Sequence, residues 1–317
     1  MHRRPLDHLR IAVAHAIRLT ASILRKAATL LDTTGGLILG SKLQQQLQLR
    51  AVVAAMDSHD MTLNADESHY ADTYWSWIES RLPKASGGNW IDAGCGSGRL
   101  TLPLARSVEG RHQFVIGVDI HAPALDIARN HAIAQGFENV EFVAGEIVEY
   151  LRGLQTNSVA GALFIEVGFF MTNLDDALSE LFRVICPGGM LFVTHRPTWF
   201  MVAHNSAREN WDAVETALTT TSGILPGWGS WQNWSTRDES EAILRSHGFA
   251  IEGCIGIGTL SGIEGDPLAN LNTPSALNPR AVNLLSKAES IFGATSVDSA
   301  RYMLFAARKP LADHGPP

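Results

Sequence analysis

The chain has 317 residues, 45% hydrophobic and 18% charged, with a net charge of -7, which excludes a disordered or fibrous class and suits one large domain with additions. The acidic balance argues against non-specific nucleic-acid binding, and no apolar run of about 18 residues free of charge is present to span a bilayer. Cys95, Cys186 and Cys254 are too few and too scattered for a disulfide framework or a zinc site, which fits a reducing, cytoplasmic location.

Charge is unevenly spread. Residues 1–56 carry +6 and the remainder -13. Within this arm, residues 5–31 read as a helix with Leu6, Leu9, Val13, Ile17, Leu24 and Leu31 on one face and His8, His15, Arg18, Arg25 and Lys26 on the other. Two readings are open: a helix packed on the body or on the second subunit of a homodimer, or a basic amphipathic helix lying on an anionic membrane surface. "TTGG" at 33–36 ends it. A second helix is expected over 41–56 and a third over 70–82.

From Trp90 onward, strands alternate with helices. "NWIDAG", "QFVIGVDI", "VEFVAGE", "VAGALFIEV" and "MLFVTHRP" read as strands. "RLTLPLARSV", "APALDIARNHAIAQG" and "LDDALSELFRVI" read as the helices between them, the last stopped by "CPGG". Such alternation implies a mostly parallel sheet with helices on both faces. After His195 the pattern loosens until a helix and strand in "DESEAILRSHGFAIEGCIGIG", and "ARYMLFAARK" reads as a final strand. The segment 257–299 is longer than a usual loop. It contains a helix over 279–292 and reads as an insertion covering the site. The chain thus divides into a helical extension or lid at 1–82, a main domain at 83–309 with insertions at about 197–235 and 257–299, and a flexible tail at 310–317.

The chemistry concentrates in "WIDAGCGSGRLTLPLA". Gly94, Gly96 and Gly98 stand where a strand becomes a helix, so the backbone can turn sharply and a ligand can approach it. The helix N-terminus beyond offers free N–H groups. Asp119 ends the next strand, where an acid can hold both hydroxyls of a ribose. The ligand is therefore expected to be a nucleoside derivative. The spacing is GxGxG rather than the dinucleotide GxGxxG, which disfavours a nicotinamide-dependent oxidoreductase.

At this point the sequence resembles the class I S-adenosylmethionine-dependent methyltransferases, over about Trp90 to Pro197 with a weaker echo to Lys309. "IDAGCGSGRLTLPLA" resembles the family's first motif. "VIGVDIHAPALDIAR", "VEFVAGEI", "ALFIEVGFF" and "LFRVICPGGMLFVTH" match the later motifs in order. The resemblance implies a seven-stranded, mostly parallel Rossmann-like sheet with the last strand antiparallel, an N-terminal helical extension and a lid insertion between the last two strands. It implies S-adenosyl-L-methionine as cofactor, held by Asp92, Gly94, Cys95, Gly96, Gly98, Asp119, Ile120, Gly145, Glu146, Ile147 and Glu166, with Asp92 organising the loop and a side chain near Glu146 facing the adenine.

The expected reaction is methyl transfer to a small-molecule acceptor. A hydroxyl acceptor also needs its proton removed, which histidine suits near neutral pH. His195, in the loop after the fifth strand, is the best-placed candidate, its alternative being a histidine that only holds the loop. Glu166 faces the same cleft. His121 is expected beside the cofactor, and His204 is a weaker base. Phe169 and Phe170 stand where many relatives carry a histidine, making that wall apolar. The Asn/Asp-Pro-Pro-aromatic sequence of amine-methylating relatives is absent, which lowers DNA as a substrate. No carboxylate set resembles a catechol-type magnesium site, so no metal is expected, and Asp175 and Asp176 read as the first turn of a helix. Aromatics at Tyr70, Tyr74, Trp75, Trp77, Trp199, Phe200, Trp228, Trp231 and Trp234 either pack the added helices or line an apolar pocket. Glu264 and Asp266 are offered by a glycine- and proline-rich lid. N- or C-methylation of a lipid or isoprenoid, and a non-catalytic cofactor-binding scaffold, remain alternatives.

Overall fold

A computed structural model describes residues 64–83, 88–269 and 271–311. The helices expected over 5–31 and 41–56, with the membrane or dimer contact assigned to the first, lie outside the described residues. Helix α1 spans Ala65–Glu79 and is capped by Asn64, whose side chain accepts the backbone N–H groups of Asp66 and Glu67. It starts five residues earlier than the aromatic pattern implies, because the Asn-x-Asp-Glu start is a capping signal. Strand β1 is Asn89–Ala93, α2 Thr101–Val108, β2 Val115–Asp119, α3 Ala122–Ala134, β3 Val140–Ala144, α4 Ile147–Arg152 and β4 Val159–Phe164. Then come α5 at Leu174–Val184, β5 at Ile185–His195, α6 at Thr198–Ser206 and α7 at Trp211–Thr219. Two-residue strands β6, Ser222–Gly223, and β7, Gln232–Asn233, pair with each other. Helix α8 is Arg237–Ser246, β8 Ala250–Ile257, α9 Pro279–Thr295 and β9 Tyr302–Arg308.

Seven strands form one sheet in the order β3-β2-β1-β4-β5-β9-β8. The β1, β2, β3, β4 and β5 pairings are parallel, and β9 runs antiparallel between β5 and β8. This is the sheet implied by the resemblance. "CPGG" lies inside β5, which begins at Ile185 directly after α5 stops at Val184, but these residues bulge from the β4 ladder, whose register jumps from Ile185 to Met190. Proline is tolerated near a strand start, where the β4–β5 register shifts.

Successive strand residues point to opposite faces, and the sheet is covered on both. Ile91, Phe164, Leu191 and Phe305 enter one core cluster, while Trp90, Leu163, Phe192 and Leu304 enter the other. Every residue of β4 is buried, which explains its continuous apolar run. Helix α8 is fixed by a capping box in which Thr236 and Glu239 exchange hydrogen bonds.

Helix α1 is clasped to the segment between β8 and β9. The Asp66 carboxylate accepts the N–H groups of Glu264 at 2.9 Å and Ser275 at 2.6 Å. Further along, the buried Glu289 of α9 binds His69 Nε2 at 2.7 Å and accepts the Ser261 hydroxyl at 2.7 Å and the Ser261 N–H at 3.0 Å. This clasp sets the position of Glu67, on the same turn of α1.

Burial pushes the Glu289 carboxyl up, but the hydrogen bonds from His69, Ser261 and the Leu260 N–H outweigh it and leave the value below the usual carboxylate range. A depressed native value means that the group's stabilisation is fully present above the unfolded value near 4.3 and disappears as pH falls through the lower native one. Glu289→Ala should therefore cost roughly 3 kcal/mol in urea unfolding at pH 7, with the difference from wild type shrinking at the acid end.

Candidate active site

The carboxyl ends of β1, β2, β4 and β5 open into a cleft of about 370 Å³. Its floor is the glycine loop. The Gly94 and Cys95 N–H groups reach back to the Val118 carbonyl at 2.7 and 3.2 Å, and Gly98 N–H to the Cys95 carbonyl at 2.9 Å. Gly94 has φ +85° and Gly96 φ +50°. A Cβ at Gly94 would strike Val167, whereas nothing lies within 4 Å of one at Gly96. The loop is thus tight where it meets the next strand and bare where a ligand would lie.

Asp119 accepts the Gly96 N–H at 2.8 Å through one carboxylate oxygen and the His121 N–H at 2.9 Å through the other. A carboxylate has about four acceptor sites, so these two bonds orient the group and leave capacity for a diol. Asp92 is buried and accepts the Thr101 hydroxyl at 2.6 Å. Burial pushes its carboxyl up to about 6, partly countered by that hydroxyl. The Ser97 hydroxyl is buried with no hydrogen-bond partner among the described residues and lines the cleft. A bare loop, an orphaned hydroxyl and an oriented strand-end carboxylate suit a nucleoside-bearing cofactor.

Of the residues assigned to the cofactor, Asp92, Gly94, Cys95, Gly96, Asp119, Ile120, Glu146, Ile147 and Glu166 line the cleft together. Gly98 and Gly145 do not. Gly98 supports the loop turn, and Gly145 donates its N–H to the Asp119 carbonyl at 2.9 Å. Glu146 caps α4 by accepting the Glu149 N–H at 2.8 Å. His121 also lines the cleft, on the cofactor side.

The other half of the cleft is a charged cluster walled by apolar side chains. Arg99 donates to Glu67 Oε2 at 2.7 Å and to Glu166 Oε1 at 2.6 Å. Glu166 lies two residues past β4 at φ +61°, an uncommon backbone state for a non-glycine residue, and its N–H donates to the Thr194 hydroxyl at 2.6 Å. Burial raises the Glu67 carboxyl, Glu166 raises it further, and Arg99 only partly offsets them. For Glu166 burial also acts upward, but Arg99 wins and the value falls below the ordinary range. Two carboxyls on one guanidinium are thus pushed in opposite directions. Around them stand Ile165, Phe169, Phe170, Met171 and Ile263, closed by Tyr302.

Several expectations are corrected. His195 is not brought to the cleft: it is 7% exposed and packs edge-on against Phe305 at 5.6 Å. Burial lowers its value to about 4, so it is neutral and enclosed, while the next residue, Arg196, lines the cleft. His204 is likewise enclosed, between Phe200 and Trp228. Glu264 is exposed, and Asp266 is ion-paired to Arg301; neither lines the cleft, which receives Ile263 from that segment instead. Tyr70, Tyr74, Phe200 and Trp234 are core residues. The aromatic wall of the cleft is Phe169, Phe170 and Tyr302. Glu67, Arg99, Arg196, Arg301 and Tyr302 were not singled out for the site from sequence. Arg99 carried a readable signal, since it directly follows the glycine loop.

Residues 84–239 match the model of a family described as a methyltransferase domain. The mitochondrial ubiquinone biosynthesis O-methyltransferase of Rattus norvegicus is 26% identical over 180 residues, covering 54% of this chain and 47% of its own length. The demethylmenaquinone methyltransferase of Thermus thermophilus is 34% identical over 108 residues, covering 34% of this chain and 46% of its own. The chain thus spans about half the length of these curated relatives. The solved structure of a putative S-adenosylmethionine dependent methyltransferase from Listeria monocytogenes superposes with a TM-score of 0.50 at 15% identity, covering 75% of this chain and 99% of that one.

Asp92 gives a pH signature. Its native value near 6 exceeds the unfolded value near 3.9, so ionisation works against folding as pH rises between the two, by about 3 kcal/mol when complete. Asp92→Asn should gain stability relative to wild type between pH 4.5 and 7.5 in paired thermal melts. An unchanged difference would show that Asp92 ionises freely.

Proposed function

This chain belongs to the class I S-adenosylmethionine-dependent methyltransferase family, and from that premise we propose that it transfers a methyl group to a small apolar acceptor, at a hydroxyl oxygen. The observation that carries this reading is one continuous cleft with the glycine loop and Asp119 at one end and an aromatic chamber holding the raised carboxyl of Glu67 at the other. When bound, the cofactor supplies a methyl group already activated on a sulfonium.

Asp119 and the Gly94–Gly98 loop would hold the nucleoside, Ile120 and Ile147 would flank its base, and Asp92 would face a cationic part of the cofactor. The remaining work is positioning and exclusion of water. Phe169, Phe170, Met171 and Ile263 would seat the acceptor and keep the chamber dry. Glu67 would take the acceptor proton: its raised carboxyl is the better base of the pair, since Glu166 is held ionised by Arg99. Arg99 would then hold both carboxyls in place as the proton arrives. His195 has no part in this reading because it does not reach the cleft. The quinone O-methyltransferase relative is consistent with an apolar hydroxylated acceptor, and a liposome assay tests the membrane contact expected of residues 5–31.

Calorimetric titration tests the cofactor. S-adenosylmethionine should bind the wild type, Asp119→Ala should weaken it at least tenfold, and NADH should not bind. Failure of S-adenosylmethionine to bind would end the reading. For turnover, Glu67→Gln should lower kcat about 10²-fold with cofactor affinity unchanged, followed by S-adenosylhomocysteine release. An unaltered kcat would remove Glu67 as the base.

A further inference from the structure

The cleft holds a cation that the proposed chemistry does not use. Arg196 follows β5 and lines the acceptor half. It is 7% exposed, and its Nε has no hydrogen-bond partner among the described residues. The other two guanidiniums of the cleft are occupied: Arg99 by Glu67 and Glu166, Arg301 by Asp266. Arg196 instead lies against rings, its guanidinium carbon 4.0 Å from the centroid of Phe169, 5.0 Å from Phe200 and 5.4 Å from Tyr302.

Burying an unpaired charge is expensive, and ring faces offset only part of that cost. Burial accordingly holds the Arg196 guanidinium below its ordinary value, with Arg301 acting in the same direction. Packing alone does not require a charge at this position. The rings hold the guanidinium in the cleft wall, its Nε has no partner among the described residues, and a guanidinium takes a carboxylate in a fork of two parallel hydrogen bonds. Position separates this fork from the cofactor. β5 is two strands from β1 in the sheet, about 10 Å away at the usual strand spacing, and the glycine loop follows β1.

We propose that Arg196 is an anion subsite for the methyl acceptor, which is therefore a hydroxylated apolar acid whose carboxylate seats on Arg196 while its body lies against Phe169 and Tyr302. This rests on the methyl-transfer reading for the identity of the ligand but is tested without turnover. The same carboxylate chemistry has a second source, the methionine end of the cofactor, and the experiment separates the two.

The wild type saturated with S-adenosylhomocysteine is titrated with 4-hydroxybenzoate, 4-hydroxyphenylacetate and a hydroxylated medium-chain fatty acid, each against its methyl ester. At least one acid should bind ten times more tightly than its ester. Arg196→Gln should erase that preference while S-adenosylmethionine affinity stays within twofold. Arg196→Lys, which keeps the charge without the fork, should retain part of it and serves as the deciding variant if the glutamine form does not fold. Equal binding of acids and esters, or no acid binding, overturns the subsite. A tenfold loss of S-adenosylmethionine affinity in either variant also overturns it, by assigning Arg196 to the cofactor. Acid binding that depends on Arg196 without any methylated product would count against the methyl-transfer reading and leave the subsite standing.

Discussion

Arg99 joins three parts of the protein that are distant in sequence. Its guanidinium binds Glu67 on α1 and Glu166 beyond β4, while its backbone leads from the glycine loop into α2. A buried bridge of this kind adds little net stability, because desolvating three charges nearly cancels their attraction. What it does supply is registry. Each carboxylate is held by the buried guanidinium, since without that cation it would be a buried carboxylate lacking a counter-charge. The added helix, the loop and the β4 end are therefore placed with respect to one another by a single side chain, and the cleft has its shape only when all three are present.

The same arrangement sets the electrostatics. Two carboxyls share one cation, so burial and mutual repulsion lift Glu67 while the bridge lowers Glu166. One guanidinium thus yields an acid–base pair with separated values in a chamber otherwise walled by phenylalanine, methionine and isoleucine. The imidazoles of His195 and His204 are closed off in the core, where burial has removed their basicity.

Legibility in the sequence followed locality. The cofactor half is written in contiguous motifs: a strand, a glycine turn, a helix start, then an acid at the end of the next strand. Each is dictated by backbone geometry within a few residues, so the alternation of strands and helices was readable and Asp92, the glycine loop and Asp119 could be named, while the antiparallel last strand came from the resemblance. The acceptor half is not local. Glu67, Arg99, Glu166, Arg196 and Tyr302 meet across more than two hundred residues, and no spacing rule links them. His195 shows the limit at the scale of one residue. The sequence reading puts it in the loop after the fifth strand, whereas it is the last residue of β5, and of the two adjacent side chains it is Arg196 that lines the cleft. Asp266 is engaged in its ion pair with Arg301 and Glu264 is exposed, so neither side chain reaches the cleft.

Strand β9 carries a further implication. It lies between β5 and β8, bringing Thr194 beside Leu304 and Gly256 beside Met303, pairings more than a hundred residues apart along β5–β9. Contacts of such separation form late, because the intervening chain must first lose its freedom. The parallel ladder from β3 to β5 needs contacts of shorter reach, the longest being that of β1 with β4, where Asn89 pairs with Val159. The order of assembly is therefore built into the topology: the nucleoside half can take shape early, and the wall formed by Arg301 and Tyr302 closes only when the hairpin of β8 and β9 docks. A newly made chain would complete the glycine-loop end of the cleft before the wall at its other end exists.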